Sequence, residues 1–176
     1  LAAGTVQQMA SLVATGQLSN GLALVRPPGH HAMRDEACGY CIFNNVAVAA
    51  ASLLDSLPKS AKVSTANATP SSAACSRSVQ SALATATSAS SNRGQHLKRI
   101  LIVDWDVHQG QGTQYAFYRD KRVLFISIHR YENAKFWPNL REGDFDFIGE
   151  GEGRGYNINI PLNTVRVCFL LMRSSI

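Results

Sequence analysis

A continuous apolar run that ends in an acidic residue constrains the fold of this chain more than any other feature. Residues 99–104 read Arg-Ile-Leu-Ile-Val-Asp, and residues 123–128 read Val-Leu-Phe-Ile-Ser-Ile. Such runs are typical of strands that are buried on both faces of a parallel sheet. Residues 156–160 alternate and Pro161 follows them, which predicts a third, edge-like strand. Because helical segments separate the strands, the sequence predicts an α/β layered fold with a mostly parallel sheet.

The amino-terminal part of the chain is predicted to form two helices and a further strand. Residues 5–15 place apolar side chains at helical spacing, and Gly16 follows as a plausible stop. Residues 21–25 (GLALV) predict a short buried strand, which the two prolines after Arg26 must end. Asn44 or Asn45 can cap a helix that continues to about Leu54. Residues 113–118 predict a short helix after the first apolar strand.

The composition changes between residues 55 and 96. Of these 42 residues, 24 are Ser, Thr or Ala and none is aromatic, so the segment cannot bury enough apolar surface to offset its ordering entropy. We predict a flexible surface insertion here, with a loose helix over residues 79–86 as the alternative. The insertion also contributes +3 of the formal net charge of +5. The rest of the chain is nearly balanced, and no direct nucleic-acid binding is expected.

Other global features exclude several protein classes. The chain has 176 residues and four cysteines, too few cysteines for a disulfide scaffold at this length. No run reaches the roughly 18 apolar residues that a membrane span requires, so no membrane association is expected. The sequence begins with Leu and lacks a signal-peptide pattern, from which we expect that it starts inside a longer protein. Residues 164–176 are apolar without a clear pattern and form an atypical tail.

The strongest local motif is Asp104-Trp-Asp106-Val-His108, at the carboxyl end of the first apolar strand. Ligands of open α/β sheets bind beyond these strand ends. Asp106 and His108 are two positions apart and share a face of extended backbone, so they could form a zinc-binding pair with Asp104 behind them. Alternatively, the two aspartates only cap the following turn. The motif alone favours neither interpretation.

Two further motifs lie in the amino-terminal half. His30 and His31 follow Pro28-Gly29 and could form a proton-transfer pair or bind a metal, although ordinary loop histidines explain the pattern as well. Cys38 and Cys41 form a CxxC motif without a second pair at zinc-finger spacing. We interpret these two cysteines as small side chains that pack near a pocket.

Together, these motifs resemble those of the zinc-dependent histone deacetylases. The matching segments are residues 24–32 (LVRPPGHHA), 38–45 (CGYCIFNN) and 102–108 (IVDWDVH). Their amino-acid sequences most resemble those of the class II enzymes. Residues 110–114 (GQGTQ) and 127–132 (SIHRYE) resemble the class IIb, tandem-domain tubulin-deacetylase type. The resemblance implies a three-layer arginase/deacetylase fold that is incomplete at the carboxyl terminus. Residues 1–176 would then be part of a catalytic domain, interrupted by the insertion at 55–96.

The resemblance also implies roles for individual residues. Asp106 and His108 match two zinc ligands, His31 the general base, His30 an electrostatic partner or proton donor, and Asp104 the acid that orients His30. Gly39, Tyr40 and Trp137 match the lining of the acyl-lysine tunnel. Two potassium sites are also implied. The first involves Ser127 and Ile128 together with Asp104 and the Asp106 and His108 carbonyls, and the second involves Phe117, Asp120, Val123 and Tyr156.

The chain departs from the family pattern in three ways. The third zinc ligand and the tyrosine that stabilises the oxyanion are absent because the sequence ends, and loss of one oxyanion donor typically costs about 10²–10³ in rate. Gln109 stands where most members have a second histidine. The insertion separates elements that family members join more briefly. We therefore expect this chain to be inactive or nearly so, and we hypothesise that the insertion and the tail arise from a gene-model or splicing error.

The implied function is zinc-dependent hydrolysis of acetyl-lysine in histones or in cytoplasmic proteins such as tubulin, in the nucleus, the cytoplasm or both. The expected partners are proteins that carry acetylated lysine. One alternative is a truncated, non-catalytic form that binds partners. Another is an amidohydrolase of the same fold that acts on acetylated polyamines.

Overall fold

The computed structural model describes residues 1–55 and 97–163. Nearly all of the predicted insertion and the whole of the predicted tail lie outside the described residues. The elements, in chain order, are α1 (Ala2–Ala14), α2 (Asn45–Asp55), β1 (Ile100–Asp104), α3 (Gln111–Phe117), β2 (Val123–Arg130), and β3 (Asn157–Leu162), with short 3-10 turns at Arg141–Gly143 and Gly151–Gly153. No helix in these two ranges is long and apolar enough to cross a membrane.

The three strands form one parallel sheet in the order β1-β2-β3. Asp104 pairs with Ser127, and Ser127 pairs with Asn159, so all three strands run in the same direction and end at the same edge. This confirms the predicted α/β architecture with a parallel sheet. Pro161 lies within β3, where it is tolerated because β3 is an edge strand of the described sheet.

The helices cover one face of this sheet. The core on that face consists of Ala47, Ala50, Leu54, Ile102, Phe117, Val123 and Phe125, contributed by α2, α3, β1 and β2. Asn44 caps α2, because its Oδ1 accepts a hydrogen bond from the Ala47 amide at 3.0 Å. Helix α1 packs on α2, where Gln7 Nε2 donates to Ser52 Oγ at 2.7 Å. The predicted helices are therefore confirmed, with Asn44 as the cap of α2.

The other face of the sheet is apolar, and no helix of residues 1–55 and 97–163 covers it. The register aligns Leu101 with Leu124, and Ile126 with Ile158, in ladders across the strands. The full set is Leu101, Val103, Leu124, Ile126, Ile128, Ile158 and Ile160, and none of these side chains is buried. The described helices pack on the opposite face or, for α1, on α2. The prediction that β1 is buried on both faces is thus wrong for the described structure.

The strand predicted over residues 21–25 is also wrong. These residues make no ladder with β1, β2 or β3, and the side chains of Leu22 and Leu24 are 86% and 95% exposed. The segment lies against α1 instead, so closely that a Cβ atom on Gly21 would overlap the Met9 side chain. A short apolar run predicts extended backbone, but a strand also requires a neighbouring strand with which to pair. Residues 21–25 pack against α1 and do not pair with a described strand.

Candidate active site

The candidate site lies at the carboxyl end of β1, where two loops meet. One loop leads from Asp104 through Asp106 and His108 to α3, and the other carries His30 and His31. Backbone hydrogen bonds hold both loops in place. The Arg130 amide donates to the Val107 carbonyl at 2.9 Å, and the Thr113 amide donates to the His30 carbonyl at 3.2 Å. The parallel topology thus places residues from these two loops in one cleft.

His30 is bound to an acidic residue. Its Nδ1 lies 2.8 Å from Asp104 Oδ2, and its Nε2 lies 3.7 Å from Asp106 Oδ1. Burial lowers the pKa of His30, but the hydrogen bond to Asp104 and the charges of Asp104 and Asp106 outweigh it, so the pKa is raised. Gly110 packs directly against the His30–Asp104 pair, because a Cβ atom on Gly110 would overlap Asp104 Oδ2.

His31 has a neutral partner instead. Its Nδ1 lies 2.7 Å from Gln111 Oε1, and Gln111 Nε2 donates to Cys38 Sγ at 3.4 Å. Burial lowers the pKa of His31, and the hydrogen bond to Gln111 raises it. The charges of His30 and His108 lower this pKa further, so the net shift is downward. The two adjacent histidines thus have pKa values that are shifted in opposite directions.

Asp106 and His108 form the pair that could hold a metal. Asp106 Oδ1 lies 3.1 Å from His108 Nδ1 and accepts a hydrogen bond from the His108 amide at 2.8 Å. Burial raises the pKa of Asp106, but the His108 amide and the charge of His30 lower it more, so the carboxylate is ionised at neutral pH. Ligand atoms about 2.0–2.1 Å from a tetrahedral zinc lie about 3.3 Å apart, so this pair fits two corners of a zinc site. Across residues 1–55 and 97–163, no three His, Cys, Asp or Glu side chains converge on one point.

Aromatic rings surround this pair. The Trp137 ring lies edge-on to His31 and His108, with centroids 4.5 Å and 5.5 Å away. The Phe136 ring stacks on His108 at 5.1 Å. Gly39 adopts a φ of +57°, and a Cβ atom there would lie 3.2 Å from Trp137, so this close approach requires glycine. Tyr40 projects from the rim with 88% of its surface exposed, whereas Trp137 is 39% exposed.

The hairpin that carries Gly39 and Tyr40 is closed by the two cysteines. The backbones of Cys38 and Cys41 exchange two hydrogen bonds of 3.0 Å, and both thiols are free. Cys41 is buried, and burial raises the pKa of its thiol. The structure therefore places these cysteines as packing residues beside the cleft, in agreement with the interpretation from sequence.

Ser127 and Ile128 lie at the end of β2, next to the cleft. Ser127 Oγ lies 2.9 Å from His129 Nδ1, and His129 Nε2 lies 2.9 Å from the Gly143 carbonyl. Burial lowers the pKa of His129, so the imidazole is neutral and its only proton goes from Nε2 to that carbonyl. Ser127 must then donate its hydroxyl proton to His129, which leaves the lone pairs of Ser127 Oγ directed elsewhere.

The other four predicted cation-site residues gather at the opposite end of β2. These residues are Phe117, Asp120, Val123 and Tyr156. The Phe117 and Asp120 carbonyls accept backbone hydrogen bonds at 2.9 Å and 3.2 Å. The Asp120 carboxylate is already paired with Arg122, through contacts of 2.6–3.1 Å. A cation site that includes Asp120 would therefore use its carbonyl oxygen, which has a second lone pair beside the one that accepts from the Val123 amide.

Three residues that contact the site were not predicted from the sequence. Gln111 holds His31, Phe136 stacks on His108, and His129 orients Ser127. Gln111 stands between Gly110 and Gly112 directly after the acidic motif, and this spacing was a usable signal for close packing. Gln109, by contrast, is buried, and its side chain donates to Gln114 Oε1 at 3.1 Å.

Comparison with known proteins identifies the family of this chain. A family model described as "Histone deacetylase domain" matches residues 1–64 and 78–167. Histone deacetylase 5 of Arabidopsis thaliana is 45% identical over 161 residues, which are 92% of this chain and 19% of the relative. Polyamine deacetylase HDAC10 of Homo sapiens is 45% identical over 165 residues, 94% of this chain and 19% of the relative. Histone deacetylase clr3 of Schizosaccharomyces pombe is 40% identical over 161 residues, 92% of this chain and 18% of the relative.

The chain spans about a fifth of the length of these relatives. The family match covers both sides of the cleft, including the loops that carry the histidines and the acidic motif. The parallel α/β sheet is consistent with the deacetylase-like fold implied by the sequence motifs. With the family model matched over most of its residues, this chain belongs to the histone deacetylase family.

Proposed function

We propose that this site takes part in the zinc-dependent hydrolysis of acetyl-lysine side chains. The observation that carries the proposal is the cleft itself, in which the pair of histidines faces the Asp106–His108 pair. His30 Nε2 lies 3.7 Å from Asp106 Oδ1, and the His31 and His108 rings are 5.7 Å apart. The substrates would be acetylated histones or cytoplasmic proteins such as tubulin, in the nucleus, the cytoplasm or both.

Asp106 and His108 would hold the zinc. Catalytic zinc usually has three protein ligands, so in this proposal the third comes from outside the described residues. A zinc ion bound there would polarise the acetyl carbonyl and lower the pKa of a bound water. The ionised state of Asp106 and its contact with His108 Nδ1 support this assignment.

The two histidines would divide the proton transfers between them. His31 has a lowered pKa and donates from Nδ1 to Gln111, so its Nε2 is free to take a proton from the attacking water. His30 has a raised pKa and a carboxylate partner, so it suits the role of cationic partner or proton donor. Opposite pKa shifts in neighbouring groups are the usual basis for separate acid and base roles.

The aromatic walls would bind the lysine. Its apolar stem fits between rings while the acetyl group reaches the metal pair. The Trp137 ring lies edge-on to His31 and His108, Gly39 gives it room, and Tyr40 stands at the exposed rim. We assign these three residues to the substrate tunnel.

Potassium would bind at two positions and stabilise the loops. For the first, the hydrogen-bond directions around His129 support a role for Ser127 Oγ as an acceptor, beside Ile128 and Asp104. The second would use the carbonyls of Phe117, Asp120, Val123 and Tyr156. Oxygen-only coordination of this kind suits a hard monovalent cation better than zinc.

A second candidate function is the hydrolysis of acetylated polyamines. The human relative named polyamine deacetylase and the plant relative named histone deacetylase are both 45% identical to this chain. Sequence similarity therefore favours neither substrate class. A polyamine carries its positive charges along the chain, so the choice between the two depends on charges at the tunnel rim.

The test compares substrates and variants in the full-length protein that the gene encodes. We expect hydrolysis of an acetyl-lysine peptide, with zinc content near one per site. Asp106→Asn should lose both zinc and activity, whereas His31→Gln should keep zinc and lose about 10²–10⁴ in rate. Arg141→Gln, an exposed substitution away from the cleft, is the control. Faster hydrolysis of an acetylated polyamine would support the second candidate, and unchanged activity in Asp106→Asn would refute both.

The chain of 176 residues is tested separately. Because the described part offers two zinc ligands, we propose that this chain is inactive or nearly so. Robust turnover of an acetyl-lysine peptide by the purified chain with zinc would contradict that. If the folded chain lowers the activity of the full-length protein without turnover of its own, it acts as the non-catalytic, partner-binding form.

A further inference from the structure

We propose that Arg130 is a positioning residue that fixes the ring of His108 through Phe136. The catalytic consequence rests on the proposed function, in which His108 is a zinc ligand. The structural part, that Arg130 orients this ring, holds whether or not the protein is an enzyme.

The three side chains form a continuous stack beside the cleft. The His108 and Phe136 rings are nearly parallel, with an interplanar angle of 14° and centroids 5.1 Å apart. The Arg130 guanidinium carbon lies 4.2 Å from the centroid of the Phe136 ring, within the range of a cation–π interaction. Phe136 therefore contacts both the candidate ligand and the cation.

A carboxylate holds the guanidinium in this position. Glu132 Oε1 accepts from Arg130 Nε at 2.7 Å and lies 2.5 Å from Nη2. The side chains of Arg130 and Glu132 are only 24% and 20% exposed, so solvent screens this pair less than a surface ion pair. Arg130 also anchors the backbone next to His108, because its amide donates to the Val107 carbonyl at 2.9 Å.

The stack contacts the His108 ring on its face and at its edge. A ligating histidine almost always donates its second ring nitrogen to a carboxylate, carbonyl or water, which fixes the ring. Here Nδ1 of His108 faces Asp106, and no atom of the described residues accepts a hydrogen bond from Nε2. Among the described residues, the contacts that fix the face and the edge of the ring are stacking contacts, with Phe136 on its face and Trp137 at its edge.

The chain offers a matched control. Arg141 also lies over an aromatic ring, 5.0 Å from the Phe147 centroid, and also pairs with a carboxylate, that of Asp146. This second arrangement has no contact with His108. Arg141→Gln thus removes the same kind of interaction without affecting the stack at the cleft.

The first experiment records the ring resonances of His108 in the metal-free chain by ¹H–¹³C NMR. Stacking on Phe136 displaces these resonances upfield, and Phe136→Leu defines their position without the ring. We expect Arg130→Gln to move them most of the way toward the Phe136→Leu position, and Arg141→Gln to leave them unchanged. Arg130→Lys, which keeps a charge but not the planar pairing with Glu132, should lie between. Unchanged His108 resonances in both Arg130 variants would overturn the proposal.

The second experiment uses the full-length protein. Arg130→Gln should weaken zinc binding, measured by chelator competition, about tenfold and lower kcat to a similar degree with little change in KM. If Arg130→Gln does not fold, Arg130→Lys and Glu132→Gln give the same readouts. An NMR shift without zinc binding or hydrolysis would support the positioning role and refute the proposed function. If the protein is an active zinc enzyme but the His108 resonances do not change in the Arg130 variants, the proposed function is supported and the positioning role is refuted.

Discussion

Nδ1 of His31 lies 2.7 Å from the side-chain oxygen of Gln111, so the partner of this histidine is an amide and not a carboxylate. An amide oxygen only accepts hydrogen bonds, and the amide nitrogen of Gln111 is turned toward Cys38 Sγ. The neutral His31 must therefore carry its proton on Nδ1. Its Nε2 is left unprotonated, which is the form that a general base requires.

Gln111→Leu should remove this control of the His31 tautomer. We expect kcat of the full-length protein to fall about 10²-fold, because the unprotonated Nε2 is no longer the favoured form. The ¹⁵N shifts of the His31 ring should change from one tautomer to a mixture. Gln7→Leu, which removes a hydrogen bond between α1 and α2, is the control and should leave both measurements unchanged. An unaltered His31 tautomer in Gln111→Leu would contradict the assignment.

Gly110→Ala should separate His30 from Asp104. The new Cβ atom would overlap Asp104 Oδ2 and lie 3.1 Å from His30 Nδ1. We expect a loss of about 1–3 kcal/mol in the free energy of unfolding, from overpacking, together with loss of activity. Gly4→Ala is the matched control, because Gly4 lies in α1 with open space around it. That variant should gain about 0.5–1 kcal/mol in denaturant titration, and equal effects of the two substitutions would refute the packing argument.

Asn44→Ala should destabilise the start of α2 and the loop beside it. Asn44 caps the helix through Oδ1, and its Nδ2 donates to Thr113 Oγ1 at 3.0 Å. Loss of the cap costs about 1 kcal/mol, and the unsatisfied buried partner adds about 1 kcal/mol or more. Asn44→Ser keeps a capping oxygen and should recover about half of the loss, as measured by denaturant titration. Equal stabilities of the two variants would show that the cap contributes nothing.

The apolar sheet face that no described helix covers should make the chain self-associate. Val103→Lys and Ile158→Lys each place a charge on this face, at positions that are 43% and 40% exposed. We expect less association in sedimentation velocity and less binding of a hydrophobic dye, with stability changed by about 0.5 kcal/mol or less. Gln8→Lys adds the same charge on α1 and should have no such effect. If all three variants behave alike, net charge and not this face controls association.

The local sequence pattern was sufficient to predict most of the strands and helices. The apolar runs that became β1 and β2 are long and rich in β-branched residues, so period and propensity predict the same element. Asn44 lies directly before the periodic segment of α2, and the capping chemistry fixes its start. Residues 21–25 are equally apolar but depend on a partner strand. The segment shows that an apolar pattern alone does not decide pairing.

The histidine pair and the acidic motif are visible in the sequence because each contains several chemically special residues close together. The sequence by itself thus determined the parallel α/β architecture, which follows from short-range pattern, and the resemblance of its motifs to a known family indicated the histidines and acidic residues of the cleft. Only the tertiary structure decided that Gln111 binds His31, that Phe136 and Arg130 stack beside His108, and that the described helices pack on one face of the sheet. These contacts join segments far apart in the chain, and their partners depend on how the strands are ordered and where the loops cross, which local propensity does not encode.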